Sequence, residues 1–159
     1  MSQELQVTID GTASDVTAIK AVTDVVPAVV LKTYAALSGY DTAAAFTVTG
    51  DVMCRVVGVV GATGITSTSG TTTLEVGTTE STASIIAQAI INNTLFAATD
   101  VWVDATPAND SQAMTNSWVI VGGGADIILT RDVDDITAGT LTLYCEWKPL
   151  SSGATLVAA

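Results

Sequence analysis

Phe46-Thr47-Val48-Thr49-Gly50-Asp51-Val52-Met53-Cys54-Arg55-Val56-Val57-Gly58-Val59-Val60 decides the fold. Successive side chains of an extended chain point to opposite faces, so a strand with one face on a core repeats every second residue. Here Phe46, Val48, Val52, Cys54, Val56 and Val60 share one face, and Thr47, Thr49, Asp51, Met53 and Arg55 the other. The run is long for one strand, and Gly50 or Gly58 is expected to mark a bulge or bend within it.

Downstream, Gly61 to Gly70 is a Gly/Ser/Thr connection, and Leu74 and Val76 alternate with Thr73 and Glu75. Together these predict a long hairpin. Ser84 to Asn93 is ambiguous: Ile85, Ile86, Ala89 and Ile90 have helical spacing, but their β-branched side chains favour a strand. It is read as a short helix of one to three turns or an irregular strand. Val101 to Ala105, Ser117 to Val121 and Ala125 to Arg131 are short strand candidates, the last two separated by a turn at Gly122-Gly123-Gly124. The final strand places Leu141, Leu143, Cys145 and Trp147 on one face and Thr142, Tyr144, Glu146 and Lys148 on the other, and Pro149 ends it.

Upstream, Leu5, Val7 and Ile9 alternate with Gln6, Thr8 and Asp10 before Gly11, so residues 1–23 read as an arm or an edge strand. Val25 to Leu37 is an apolar strand candidate with an irregularity at Pro27, and Gly39-Tyr40-Asp41 is a turn. The expected fold is mainly β, with roughly seven to nine strands and no alternation with long helices. Its natural closure is an antiparallel β-sandwich, specifically a jelly roll. The expected organisation is an N-terminal arm and edge segment over residues 1–40 and a sandwich domain over residues 41–159.

Composition narrows the function. Hydrophobic residues make up 48% of the 159-residue chain, with only 5% aromatic, so the core volume comes from Val, Ala, Ile and Leu. Charged residues are 13%, so Thr, Ser, Gly and Ala must finish the surface, and such a surface suits packing against neighbouring proteins. The net charge is −11, and the five basic residues, Lys20, Lys32, Arg55, Arg131 and Lys148, are scattered. Phosphate binding needs clustered Lys and Arg, so nucleic acid and anionic membranes are not expected partners. The absence of His removes Ser-His-Asp and Cys-His nucleophile arrangements and the commonest zinc ligand. Cys54 and Cys145 fit no metal-ligand spacing and read as buried free thiols, with a disulfide between adjacent strands left open. Met1-Ser2-Gln3-Glu4 is unlike the basic start of a secretory signal, and Val25 to Leu31 is too short to span a bilayer. The protein is expected to be made and kept in a cytoplasm.

Several groups have residue types that can carry chemistry. Asp132-Val133-Asp134-Asp135 is dense enough to suggest calcium, but it lacks the EF-hand order and reads as a solvated loop. Asp100, Asp104 and Asp110 read as a looser polar loop around Pro107. Trp102 and Trp118 have the chemistry of a sugar platform, yet core or interface packing is the simpler role. No pair of carboxylates is singled out for glycosidase chemistry, and the glycines match no phosphate loop. No catalytic, cofactor-binding or metal residue is assigned, and no enzyme activity is expected.

A resemblance adds to this. Phe46-Thr47-Val48-Thr49-Gly50-Asp51-Val52, then Val56-Val57-Gly58-Val59-Val60-Gly61, resembles small structural proteins encoded in tailed-phage morphogenesis clusters. So do Ser67 to Gly77, Asp135 to Leu141 and Tyr144 to Ser151. The resemblance covers about residues 44–159 and is one of pattern. It implies a virion protein of the capsid decoration (cement) or head-fibre-base type, with a β-sandwich fold, often a homotrimer at threefold positions on the outer capsid. The implied partner is the major capsid protein, with the arm extending onto a neighbour. Neck or tail accessory proteins are an alternative within the same class. A carbohydrate-binding β-sandwich module is the alternative from another class, and it would need exposed aromatics beside Asp100–Asp110.

Overall fold

A computed structural model describes residues 27–92, 95–109, 111–114 and 117–159. The expectations for residues 1–26, including the arm, and for Asn93 and Asp110 lie outside the described residues. The described residues form twelve strands and no helix. They are β1 (Ala28–Tyr34), β2 (Ala43–Thr49), β3 (Val52–Val60), β4 (Thr66–Ser67), β5 (Thr73–Thr78) and β6 (Ser81–Ile90), then β7 (Val101–Trp102), β8 (Val119–Val121), β9 (Ile127–Asp132), β10 (Ile136–Ala138), β11 (Leu141–Pro149) and β12 (Thr155–Ala158).

The fold is mainly β and antiparallel, as the sequence predicts. One sheet runs β1-β11-β3, with β7 and β8 both pairing with β3 at the next position. The other runs β12-β2-β9-β5-β6, and β4 and β10 form a small ribbon. The inner faces of both large sheets feed one apolar core: Val52, Cys54, Val56, Leu141 and Leu143 from the first, and Phe46, Val48, Leu74, Val76, Ile127 and Leu129 from the second. That shared core is the arrangement of a β-sandwich.

The deciding stretch is two strands in two sheets. All six residues assigned to one face, Phe46, Val48, Val52, Cys54, Val56 and Val60, are buried. The chain breaks at Gly50, whose φ of 70° is easy only for glycine, and crosses from one sheet to the other. The second crossing, between β11 and β12, lies against the first. Asp51 N donates to Ser151 Oγ (2.9 Å), and Leu150 N donates to Asp51 O (2.9 Å).

Two expectations are corrected. β3 and β5 do not make a hairpin: β3 pairs with β11, β7 and β8, whereas β5 pairs with β6 and β9 in the facing sheet. The Ser84–Asn93 segment carries no helical turn in its described residues, because Ser84 to Ile90 belong to β6. The pairing of β6 with β5 shifts register twice, and these irregularities let adjacent Ile85 and Ile86 both be buried together with Ala89. That is the spacing of a helix produced by a bulged strand.

β1 is a strand of the first sheet and pairs with β11 without a register shift from Ala28↔Trp147 to Tyr34↔Leu141. β1 and β12 close one flank of the sandwich, where Lys32 Nζ donates to the Ala159 carbonyl.

Candidate interaction surface

The acidic groups, tryptophans and cysteines fall into separate places. Asp100 is buried, and its Oδ2 accepts from Ala97 N at 2.9 Å. Asp104 Oδ1 accepts from Thr106 N, Thr106 Oγ1 and Gln112 Nε2, each at 2.8 Å. Both carboxylates brace the connection around β7 and do not converge on a ligand. In the Asp132–Asp135 loop, Arg131 reaches Asp135 (3.2 Å) and Asp41 (3.4 Å). Among the described residues no three His, Cys, Asp or Glu side chains gather as metal ligands. No helix among them is long and apolar enough to cross a membrane.

Trp102 is fully buried, edge-on to Phe96 with ring centroids 5.1 Å apart, so it cannot serve as a sugar platform. Cys54 and Cys145 are free, buried and on adjacent strands, with Cys54 opposite Trp147 and Cys145 opposite Val56. The hydrogen bond from the Cys145 thiol lowers the pKa of Cys54, and the same bond, with burial, pushes Cys145 far up. Neither sulfur is reachable from solvent, and nucleophilic chemistry requires access. Burial likewise raises the phenols of Tyr34 and Tyr40, which meet edge to face at 5.3 Å. A cleft of about 230 Å³ between Thr66–Gly70 and Ile91–Asn92 is lined mostly by hydroxyls and backbone, with no carboxylate or cation.

The outward face of the β1-β11-β3 sheet is different. Register puts Val29, Glu146 and Arg55 in one row, Leu31, Tyr144 and Val57 in the next, and Thr33, Thr142 and Val59 in the third. Alternation turns all nine away from the core. Val29 is 56% exposed, Leu31 49% and Tyr144 37%. Ile120 of β8, opposite Met53, adds an apolar side chain that is 68% exposed. A solvated sheet face is ordinarily polar, and a contiguous apolar one marks a contact surface.

At one end of this face the Trp118 ring lies beside two cations, Arg55 (5.0 Å) and Lys148 (5.5 Å). Arg55 is fixed in turn by Glu146, with Nε to Oε2 at 2.6 Å. Aromatic residues and arginine carry most of the binding energy in protein interfaces. In a chain of net charge −11, the only carboxylate in these three rows is therefore paired. The sequence showed the alternation that builds this face. It gave no sign that β1 would lie beside β11, and only that pairing puts Leu31 next to Tyr144.

Comparison of the chain with protein-family models, with curated proteins and with solved structures finds no match.

Proposed function

We propose that the chain is a non-catalytic structural protein of a virus particle: a capsid decoration (cement) protein that lies on the outer surface of a phage head and ties neighbouring capsomers together. The exposed apolar face of the β1-β11-β3 sheet carries this reading, because it has the composition of a protein-binding surface. Strand order supports it. Setting β12 aside, β1-β11-β3-β8 faces β2-β9-β5-β6, the order obtained by rolling up a long antiparallel hairpin, and we read the fold as a jelly roll on that ground. Jelly rolls recur in viral capsid proteins and also in lectins, so fold alone does not choose between these uses. Burial of Trp102 removes one of the two tryptophans that a sugar site would use, and Trp118 lies beside Arg55 and Lys148, which favours a protein partner.

On this reading the partner is the major capsid protein, and the protein itself is a homotrimer. Each copy holds its site through a modest contact, and avidity over many copies stabilises the shell. The test is quantitative mass spectrometry of purified particles together with rebinding to capsids stripped of the protein. Hundreds of copies per particle are expected. The double substitution Leu31→Asp/Tyr144→Asp should weaken rebinding by about thirtyfold or more, the loss of one hot spot, while the circular dichroism stays that of the parent. A few to tens of copies would assign the chain to a head-fibre base, neck or tail. Absence from particles, or rebinding unaffected by the substitutions, would end the proposal.

A further inference from the structure

One block of the second sheet carries oxygen at the end of all four of its side chains. β5 and β9 pair without a register shift from Thr73↔Asp132 to Gly77↔Ile128, and Glu75 lies opposite Thr130. Residues directly opposite, and residues two apart along a strand, share a face. Thr73, Glu75, Thr130 and Asp132 therefore lie together on the side away from the core residues Leu74, Val76 and Leu129. Each of the two rows sets a threonine opposite an acid.

The outward face of an antiparallel sheet is ordinarily solvated. Here Thr73 and Glu75 are each only 7% exposed. Oγ1 of Thr73 and Oγ1 of Thr130 are buried and meet no hydrogen-bond partner among the described residues, so neither donates to Glu75. No ion pair among those residues reaches Glu75 either. Arg131, the one base of β9, sits opposite Leu74 on the other face and is bound to Asp41 and Asp135. Asp132 closes the block on its solvent side, where it is exposed and its Oδ1 accepts from Val133 N at 2.9 Å. A buried carboxylate needs a cation or several donors, and a buried hydroxyl needs a partner. One ligand that accepts lone pairs from carboxylate and hydroxyl oxygens alike meets both needs, and a hard cation is such a ligand.

We propose that this block binds one calcium ion through the carboxylates of Glu75 and Asp132 and Oγ1 of Thr73 and Thr130, with water completing the shell. Calcium accepts irregular sets of six to eight oxygens, whereas magnesium demands a near-ideal octahedron. Two of the four donors are hydroxyls, so the site does not need the three-acid cluster that the described residues lack. Two carboxylates place the affinity at the weak end of protein calcium sites, a Kd of about 10⁻⁴–10⁻³ M. The site is independent of the capsid reading and uses a different sheet.

The test is calorimetric titration of calcium chloride into the full-length protein after treatment with a chelator. One site per chain is expected, and saturating calcium should raise the thermal midpoint by a few degrees. Glu75→Gln keeps the size of the side chain and should weaken binding about tenfold or more and remove the rise in midpoint. Thr130→Val should weaken binding severalfold. Asp134→Asn, in the adjoining loop but outside the block, should change neither measurement. No binding at about 10 mM calcium would overturn the proposal and leave water as the occupant. Binding that survives Glu75→Gln, or that is lost in Asp134→Asn, would also overturn it. Should Glu75→Gln fail to fold, Thr130→Val decides, and an unchanged affinity in that variant would overturn the proposal.

Discussion

At Gly58 the packing leaves no room for a side chain. A Cβ built there meets Trp102 Cε3 at 2.9 Å and Trp102 Cβ at 3.3 Å. The indole cannot yield easily, because it is fully buried and held edge-on by Phe96. Gly58→Val should therefore destabilise the protein by about 1–3 kcal/mol, the usual cost of overpacking a filled core. Urea unfolding measures it as a lower midpoint at unchanged slope. The sequence places a bulge or bend at Gly50 or Gly58, and the break falls at Gly50 and not at Gly58. The role of Gly58 is instead to let Trp102 lie against β3, a contact between residues far apart in the chain that local periodicity does not carry. The reading of Cys54 and Cys145 as buried thiols needed only their place on apolar strand faces, and both are buried and free.

Strand identity was legible wherever alternation was regular. β11 was readable because Leu141, Leu143 and Cys145 alternate with Thr142, Tyr144 and Glu146, and β3 because Val52, Cys54 and Val56 flank Met53 and Arg55 on the other face. β6 was ambiguous because its bulges bury neighbouring isoleucines. β12 was missed: of Thr155–Ala158 only Leu156 is buried, too little pattern to read. Pairing was the harder matter, since parity continues across Gly50 while the chain changes sheets. That crossing can be tested. An alanine at Gly50 would hold φ near 70° and bring its Cβ within 2.7 Å of Ser151 Oγ. Gly50→Ala should cost about 1–3 kcal/mol. The thermal midpoint should fall by several degrees, whereas Gly70→Ala, where the added Cβ meets nothing within 4 Å, should change little.

For the whole molecule, the acidic excess and the apolar sheet face act against each other. At neutral pH the net charge of −11 keeps copies apart at long range, and the face carries its one acid already paired. Near the isoelectric point, about 4.1, that repulsion vanishes while the exposed Val29, Leu31, Tyr144 and Ile120 remain. Light scattering should rise steeply as pH falls toward 4, and much less for Leu31→Asn/Tyr144→Asn, which leaves the net charge unchanged. Equal scattering would show that the face is not adhesive. Composition foretold the acidity and the scarcity of charge on the surface, but it did not indicate which face would gather the apolar residues.

The unequal flanks also have a mechanical consequence. Like a book, the sandwich has a spine, where Lys32 is tied to Ala159 beside β1 and β12, and a fore-edge, where β6 lies across a gap from β8. Breathing of such a body is expected to part the sheets more at β6 than at the flank where β1 and β12 meet. A ligand or engineered staple that bridges the fore-edge would restrain that motion far more than the same bond placed at the spine.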